Sequence, residues 1–276
     1  MNIVFVTDLH GSAAKYRRVL DVAQKNGAAA VVNGGDMLVA EGDLHGPQRD
    51  FIEGFLSPYF SKYEKAGIYH LGFLGNDDLK IHDAVFVEVC RKYNFAVNLA
   101  QRRFELKGFE FIGMNWVTDY PFRLKDRCRR DGPGYMFQGQ FGAGLLSTGE
   151  GFRELADRPA YAEGLPDMGQ ELAALPKPLN PAKAVYVIHM PPAGLGLDVI
   201  SSGERVGSAA VRRFIEKNAP LLTLHGHIHE SPGMSGVWKA KAGNTVCVQP
   251  GQAKTTLTYV LMDLNSMAME RFEEPV

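Results

Sequence analysis

The chain has 276 residues, 45% of them hydrophobic, with 30 basic against 31 acidic side chains. That length suffices for a sizeable core in one large domain or two small ones, and a net charge of -1 excludes a global electrostatic footprint for nucleic acid or an anionic membrane. Three scattered cysteines, Cys90, Cys128 and Cys247, exclude a disulfide framework and a cysteine-based zinc site, and fit reduced thiols in a cytosolic protein.

Residues 3–7 form a short, continuous, β-branched run that predicts a buried strand, and no basic leader precedes it. Ser12 is placed to cap a helix running to about residue 26, where Gly27 supplies a stop. Residues 28–33 predict a second buried strand that ends in Gly34-Gly35-Asp36. A helix over about 48–65 is expected to be kinked or divided by Pro58. A third strand over 68–74 ends in Gly75-Asn76-Asp77, and a helix follows over about 82–93. This alternation predicts a parallel, right-handed α/β sheet.

Residues 102–106 and 109–116 flank Lys107-Gly108 and predict an antiparallel hairpin. Residues 117–182 are rich in Gly, Pro and charge, with little periodicity beyond a short helix near 169–174. Such a stretch is expected to be a functional loop or lid inserted into one domain spanning 1–276. A strand over 185–188 ends in His189-Met190-Pro191-Pro192. A helix over about 208–218 leads into a strand over 221–224 and then His225-Gly226-His227-Ile228-His229-Glu230. Residues 244–249, 256–264 and 268–272 predict antiparallel strands with a turn at Asn265-Ser266. The whole predicts two mixed sheets packed together with helices outside. No stretch approaches the ~18 apolar residues of a membrane span, so a soluble, cytoplasmic protein is expected.

Five predicted strands end in groups able to bind metal: Asp8 and His10 after the first, Asp36 after the second, Asn76 after the third, His189 after the fourth, and His227 and His229 after the fifth. Ligands of open α/β sheets collect outside the carboxyl ends of the strands, where loops converge. Imidazole suits Zn, Fe, Ni, Co or Mn, and glycines 34, 35, 75 and 226 leave room for tight turns at a crowded site. His225 is expected to be a satisfied histidine beside its strand, and nothing recommends His70 or His82.

Asp8-x-His10, Gly35-Asp36, Gly75-Asn76, the lone His189 and Gly226-His227-x-His229, in this order, resemble the calcineurin-like metallophosphoesterase superfamily over nearly the whole chain. The resemblance implies an α/β fold, a four-layer αββα sandwich, with two divalent transition-metal ions (Mn, Fe, Zn, Ni or Co). By analogy, Asp8, His10 and His229 would hold one ion, Asn76, His189 and His227 the other, and Asp36 would bridge them. It further implies hydrolysis of a phosphomonoester or phosphodiester by a metal-bridging hydroxide, with Asn76 also able to hydrogen-bond a phosphate oxygen.

The chain departs from the family's most familiar Gly-Asn-His at Asp77. A free Asp titrates near 3.9 and neighbouring cations lower it, so Asp77 is expected to be a poor general acid at pH 7. Three readings stay open. The metals alone expel a good leaving group, another residue donates the proton, or the protein no longer turns over. The last would make it a non-catalytic metal-binding interaction module on the same fold, for which the superfamily's retromer subunit is a precedent, although the seven intact ligand types weigh against it.

His45, in the loop after Asp36, is a candidate to reach substrate as well as a candidate exposed loop histidine, and Asp78 is expected to be a solvated loop acid. Arg123, Lys125, Arg127, Arg129 and Arg130 form a basic cluster that could clamp phosphate or a polynucleotide, or simply be a solvated loop. Tyr120, Phe122, Tyr135, Phe137 and Phe141 interleave with it and could stack on a base or pin the insertion to the core. A phosphorylated small molecule is the expected partner. A nuclease is a within-class alternative that the near-neutral charge disfavours, and the oligomeric state stays open.

Overall fold

The computed structural model describes residues 1–276 and builds them around two six-stranded sheets. From edge to edge the first sheet runs Ala268–Pro275, Thr256–Asp263, Asn2–Val6, Ala30–Asn33, Tyr69–Gly72 and Ala96–Asn98. Its last four strands are parallel, and Thr256–Asp263 is antiparallel to both of its neighbours. The second sheet runs Lys239–Ala242, Thr245–Val248, Leu222–Leu224, Ala184–Ile188, Phe109–Met114 and Arg103–Leu106, with an antiparallel strand at each edge.

Strand composition explains the layering. Side chains alternate across a strand, and a strand covered on both faces must be apolar throughout. Ile3 and Phe5 enter the core between the sheets, while Val4 and Val6 pack beneath helices on the other face. Along Ala184–Ile188, Val185 and Val187 face the opposing sheet, and Ala184, Tyr186 and Ile188 face outward. Ala13–Lys25, Asp83–Arg91 and the helical run 45–66 cover the first sheet; Met168–Ala174 and Ala209–Asn218 cover the second. The expected two mixed sheets flanked by helices are therefore present. No helix is long and apolar enough to cross a membrane.

The helix expected over 48–65 starts earlier, at His45, and is divided as Pro58 required. A π-helical stretch, Phe51–Leu56, separates His45–Asp50 from Ser57–Ala66. Pro58 has no N–H to donate and its ring crowds the carbonyl four residues back, so the helix widens ahead of it. Ala96–Asn98 and Lys239–Ala242 carried too few residues to show a period, yet they complete sheet edges.

The stretch 117–182 is more ordered than its sequence suggested. It holds the hairpin of Leu145–Thr148 with Gly151–Glu154, the pairing of Val117–Thr118 with Cys128–Arg129, and helices Arg158–Glu163 and Met168–Ala174. Buried ion pairs supply much of that order. Lys125 pairs with Asp119 at 2.9 Å, Arg129 with Glu171 at 2.8 Å, and Arg127 with Asp83. Arg129 also stacks on Trp116, 3.8 Å from the ring centre. The basic cluster is thus neither a solvated loop nor a free anion clamp. Lys125, Arg127 and Arg129 are buried, Arg130 donates to the Ala162 carbonyl, and Arg123 alone of the five is exposed.

Candidate metal centre

Three parallel strands of the first sheet and two of the second send the loops after their carboxyl ends to one edge of the sandwich. The loops are laced by backbone hydrogen bonds at 3.0 Å: Asp8 N–H donates to Gly35 O, His10 N–H to Asp36 O, and Gly226 N–H to His189 O. Such contact tolerates no side chain at two points. A Cβ on Gly75 would lie 2.2 Å from Asp36 Oδ1, and one on Gly226 would lie 2.0 Å from Thr7 Oγ1. Asp8, His10, Asp36 and His227 hold left-handed φ angles of 56, 43, 49 and 69°. Conformations this unfavourable for side-chain-bearing residues persist where surroundings over-determine a functional geometry.

Two groups of side chains converge. Asp8, His10, Asp36 and His229 each bring a nitrogen or oxygen within 4.8 Å of the others, and so do Asp36, His189 and His227. Asp36 is common to both. His10 Nε2 lies 3.1 Å from His229 Nε2, which lies 3.5 Å from Asp8 Oδ1; His189 Nε2 lies 3.2 Å from Asp36 Oδ2. Asn76 joins the second group, its Oδ1 2.8 Å from His189 Nε2. His189 Nδ1 donates to the Gly34 carbonyl at 2.7 Å, which turns Nε2 into the site. Asn76 Nδ2 donates to Asp77 Oδ1 at 2.8 Å, which turns the amide oxygen toward His189, and Asp77 N–H donates to Asp36 Oδ1 at 2.9 Å.

These residues fit a pair of divalent ions. Asp8 and Asp36 are fully buried; Asp8 Oδ2 has no hydrogen-bond partner, and Asp36 Oδ2 meets only His189 Nε2, at 3.2 Å. Buried carboxylate oxygens without partners are costly unless a cation neutralises them. Two carboxylates, one amide oxygen and four imidazoles form a donor set suited to first-row transition metals.

Charge in the chain itself responds to this crowding. Burial disfavours an imidazolium at His189, but the Asp36 and Asp8 carboxylates outweigh it and raise the group to about 9. His229 likewise rises to about 9, burial being outweighed by Asp8. Asp36, although buried, is held well below the carboxylate range by His189 and His10. His227 falls to about 3 through burial and the neighbouring His189. In the metal-free chain Asp77 shifts the opposite way from Asp36. Burial and the Asp36 charge raise its carboxyl to about 8, a rise that bound cations would oppose.

Asp78 is not a solvated acid. It is fully buried and accepts hydrogen bonds from the backbone N–H groups of Gly75 at 2.7 Å, Leu38 at 2.8 Å and Met37 at 2.9 Å. It therefore locks the loop carrying Asp36 to the loop carrying Asn76. Gln48 and Arg127 hold the same loop: Gln48 accepts from Leu79 N–H and donates to the Asp77 carbonyl, and Arg127 Nε donates to the Gly75 carbonyl at 2.7 Å. Asp78→Ala would orphan three buried donors and is expected to destabilise the metal-free protein by about 2–4 kcal/mol. Calorimetry should show that as a Tm lower by roughly 5–10 °C; an unchanged Tm would mean the loops are held without Asp78.

His45 does not face the converging ligands. Its Nε2 lies 2.9 Å from the Gly151 carbonyl and 3.2 Å from that of Thr148, with its ring against Phe152, so it pins the hairpin of 145–154. His225 is satisfied as expected, Nδ1 donating to Ile188 O and Nε2 accepting from the Thr223 hydroxyl, both at 2.8 Å. A cavity of 620 Å³ lies between Met168–Ala174 and Ala209–Asn218 and is lined by none of these residues.

The family profile described as calcineurin-like phosphoesterase matches residues 1–231. Among solved structures, TT1561 of Thermus thermophilus aligns with a TM-score of 0.58 at 15% identity, over 98% of this chain and 97% of that one. A dimetal phosphatase from Danio rerio aligns with a TM-score of 0.53 at 10% identity, over 100% of this chain and 96% of that one. At such identities the likeness speaks for the fold alone. No curated protein matches the sequence.

Proposed function

The chain belongs to the calcineurin-like phosphoesterase family, and from that premise we propose that it is a dinuclear-metal phosphoesterase acting on a small phosphorylated substrate. The observation that carries this reading is the place of Asp36 in both ligand groups. Asp8, His10 and His229 would hold one ion, Asn76, His189 and His227 the other, with Asp36 shared. When bound, such ions supply Lewis-acid charge to phosphoryl oxygens and lower the pKa of water.

The chain's own residues orient and enclose that chemistry. Asn76 gives one amide proton to Asp77 and keeps the second for a phosphate oxygen. Asp77 thereby acts first as the positioning residue of Asn76. Residues 117–182 form a lid inserted in one domain, a reading supported by Tyr120, whose ring packs edge-on against His227 at 5.6 Å between centres. A polynucleotide substrate is disfavoured, because Lys125, Arg127 and Arg129 are already committed to internal carboxylates.

The test is hydrolysis of p-nitrophenyl phosphate, p-nitrophenyl phenylphosphonate and bis-p-nitrophenyl phosphate by metal-stripped protein reconstituted with Mn²⁺. Metal-dependent turnover is expected, and the rank of the esters separates a monoesterase from a diesterase. Asp77→Asn keeps the oxygen that accepts from Asn76 and should retain activity within about tenfold. Loss of roughly 10²–10⁴-fold would instead make Asp77 the general acid. Two bound ions with no turnover on any ester would defeat the enzymatic reading.

A further inference from the structure

The mouth of the proposed metal cleft is aromatic. Ring contacts run outward without a break: His189 to His227 at 5.4 Å between centres, His227 to Tyr120 at 5.6 Å, Tyr120 to Phe122 at 6.0 Å, and Phe122 to Phe141 at 5.4 Å. Tyr120 is buried, whereas Phe122 is 63% and Phe141 73% exposed. Neither phenylalanine joins a hydrophobic core cluster, so holding the insertion on the body does not account for them. Their planes meet at 78° in an edge-to-face contact, and most of each ring's remaining surface is open to solvent. Exposed apolar surface beside a cleft marks a binding surface, and aromatic rings favour stacked or edge-on partners.

The charges beside this corner narrow the ligand. Arg158 and Lys125 are paired with Asp119, Arg127 with Asp83 and Arg129 with Glu171. Arg123, exposed, lies against Gly142 and donates to the Ala143 carbonyl at 3.2 Å, which sets an unpaired guanidinium beside the residues that follow Phe141. That supply suits one phosphate on a flat apolar body and not a run of phosphates.

We propose that the organic group of the substrate is a planar aryl or heteroaryl ring seated in the corner of Phe122 and Phe141 while its single phosphate enters the metal cleft. The proposal rests on the phosphoesterase reading above and names the substrate class for the same site.

Isothermal titration of the Mn²⁺-loaded protein with biphenyl-4-phosphonate and methylphosphonate isolates the ring, because the two share a headgroup and neither is hydrolysed. The wild type is expected to bind the biaryl ligand about tenfold more tightly, the scale of one aromatic stacking contact. The double variant Phe122→Ala/Phe141→Ala should bind both ligands within about twofold of each other, with methylphosphonate affinity unchanged. Phe122→Leu/Phe141→Leu, which keeps apolar area and removes the ring faces, should also lose most of the preference. Equal affinities in the wild type, or a preference that survives both double variants, would overturn the proposal. Metal content measured on the same samples separates the levels. Two ions with bound methylphosphonate but no ring preference defeats the stacking alone, whereas no ions and no phosphonate binding defeats the phosphoesterase reading with it.

Discussion

Asp36→Ala is expected to bind fewer than one divalent ion per chain where the wild type binds two, and to lose turnover by at least roughly 10²–10³-fold, the scale of deleting one preorganised electrostatic group. The reason lies in connectivity. Every other proposed ligand belongs to one group, and Asp36 belongs to both. Its removal also takes away the acceptor of Asp77 N–H and the main charge that raises His189, so the second group loses its arrangement as well as its anion. Asp36→Asn keeps an oxygen for Asp77 N–H and serves as the control for folding. Metal content by plasma mass spectrometry, with circular dichroism to confirm the fold, decides the matter. A full complement of ions in Asp36→Ala would show that the two groups do not share a bridge.

The second large effect concerns pH. The metal-free protein is expected to lose stability as pH rises from about 6.5 to about 9, and bound divalent ions are expected to abolish that loss. His189 and His229 are raised from 6.5 to about 9, so each contributes stability that is fully present below 6.5 and lost as pH passes through about 9. Asp77 and Asp78, raised by burial and by Asp36 from 3.8 to about 8 and about 7, act in the same sense here, because the native state keeps protons that the unfolded chain has released. Stability falls with pH wherever the native state binds more protons. His10 and His227, with lowered values, work the other way only below 6.5. Metal ions replace the protons on ligand nitrogens, so metal affinity rises with pH and binding releases protons. Tm measured across this range with a chelator and with Mn²⁺ should diverge as pH increases. A metal-free Tm that is flat or climbs would contradict the clustered charges described here.

The proposed ligands were legible because they fall within a few residues of the carboxyl ends of strands. Strand signals are local, and an Asp, Asn or His beside a glycine at the carboxyl end of a buried run needs no long-range information to be noticed. Asp8, Asp36, Asn76 and His189 all stand at such strand ends, Asp36 and Asn76 directly after a glycine. What the sequence hid was the support. Asp78 resembles any loop acid until the folded chain delivers three N–H groups from two loops to it. Gln48 and Arg127 reach the Asn76 loop from elements about 30 and 50 residues away in sequence, a coincidence that only tertiary packing creates. The contacts of His45 were hidden for the same reason, since its partner hairpin lies about a hundred residues further on. The stretch 117–182 looked formless because its strands and helices are short and are held in part by ion pairs, which carry no period.

Electron paramagnetic resonance of the wild-type protein with two equivalents of Mn²⁺ tests the shared-carboxylate centre most directly. A bridged pair predicts an exchange-coupled spectrum, replaced in Asp36→Asn by the six-line signal of isolated Mn²⁺. A wild-type spectrum of isolated ions at full loading would contradict the dinuclear centre.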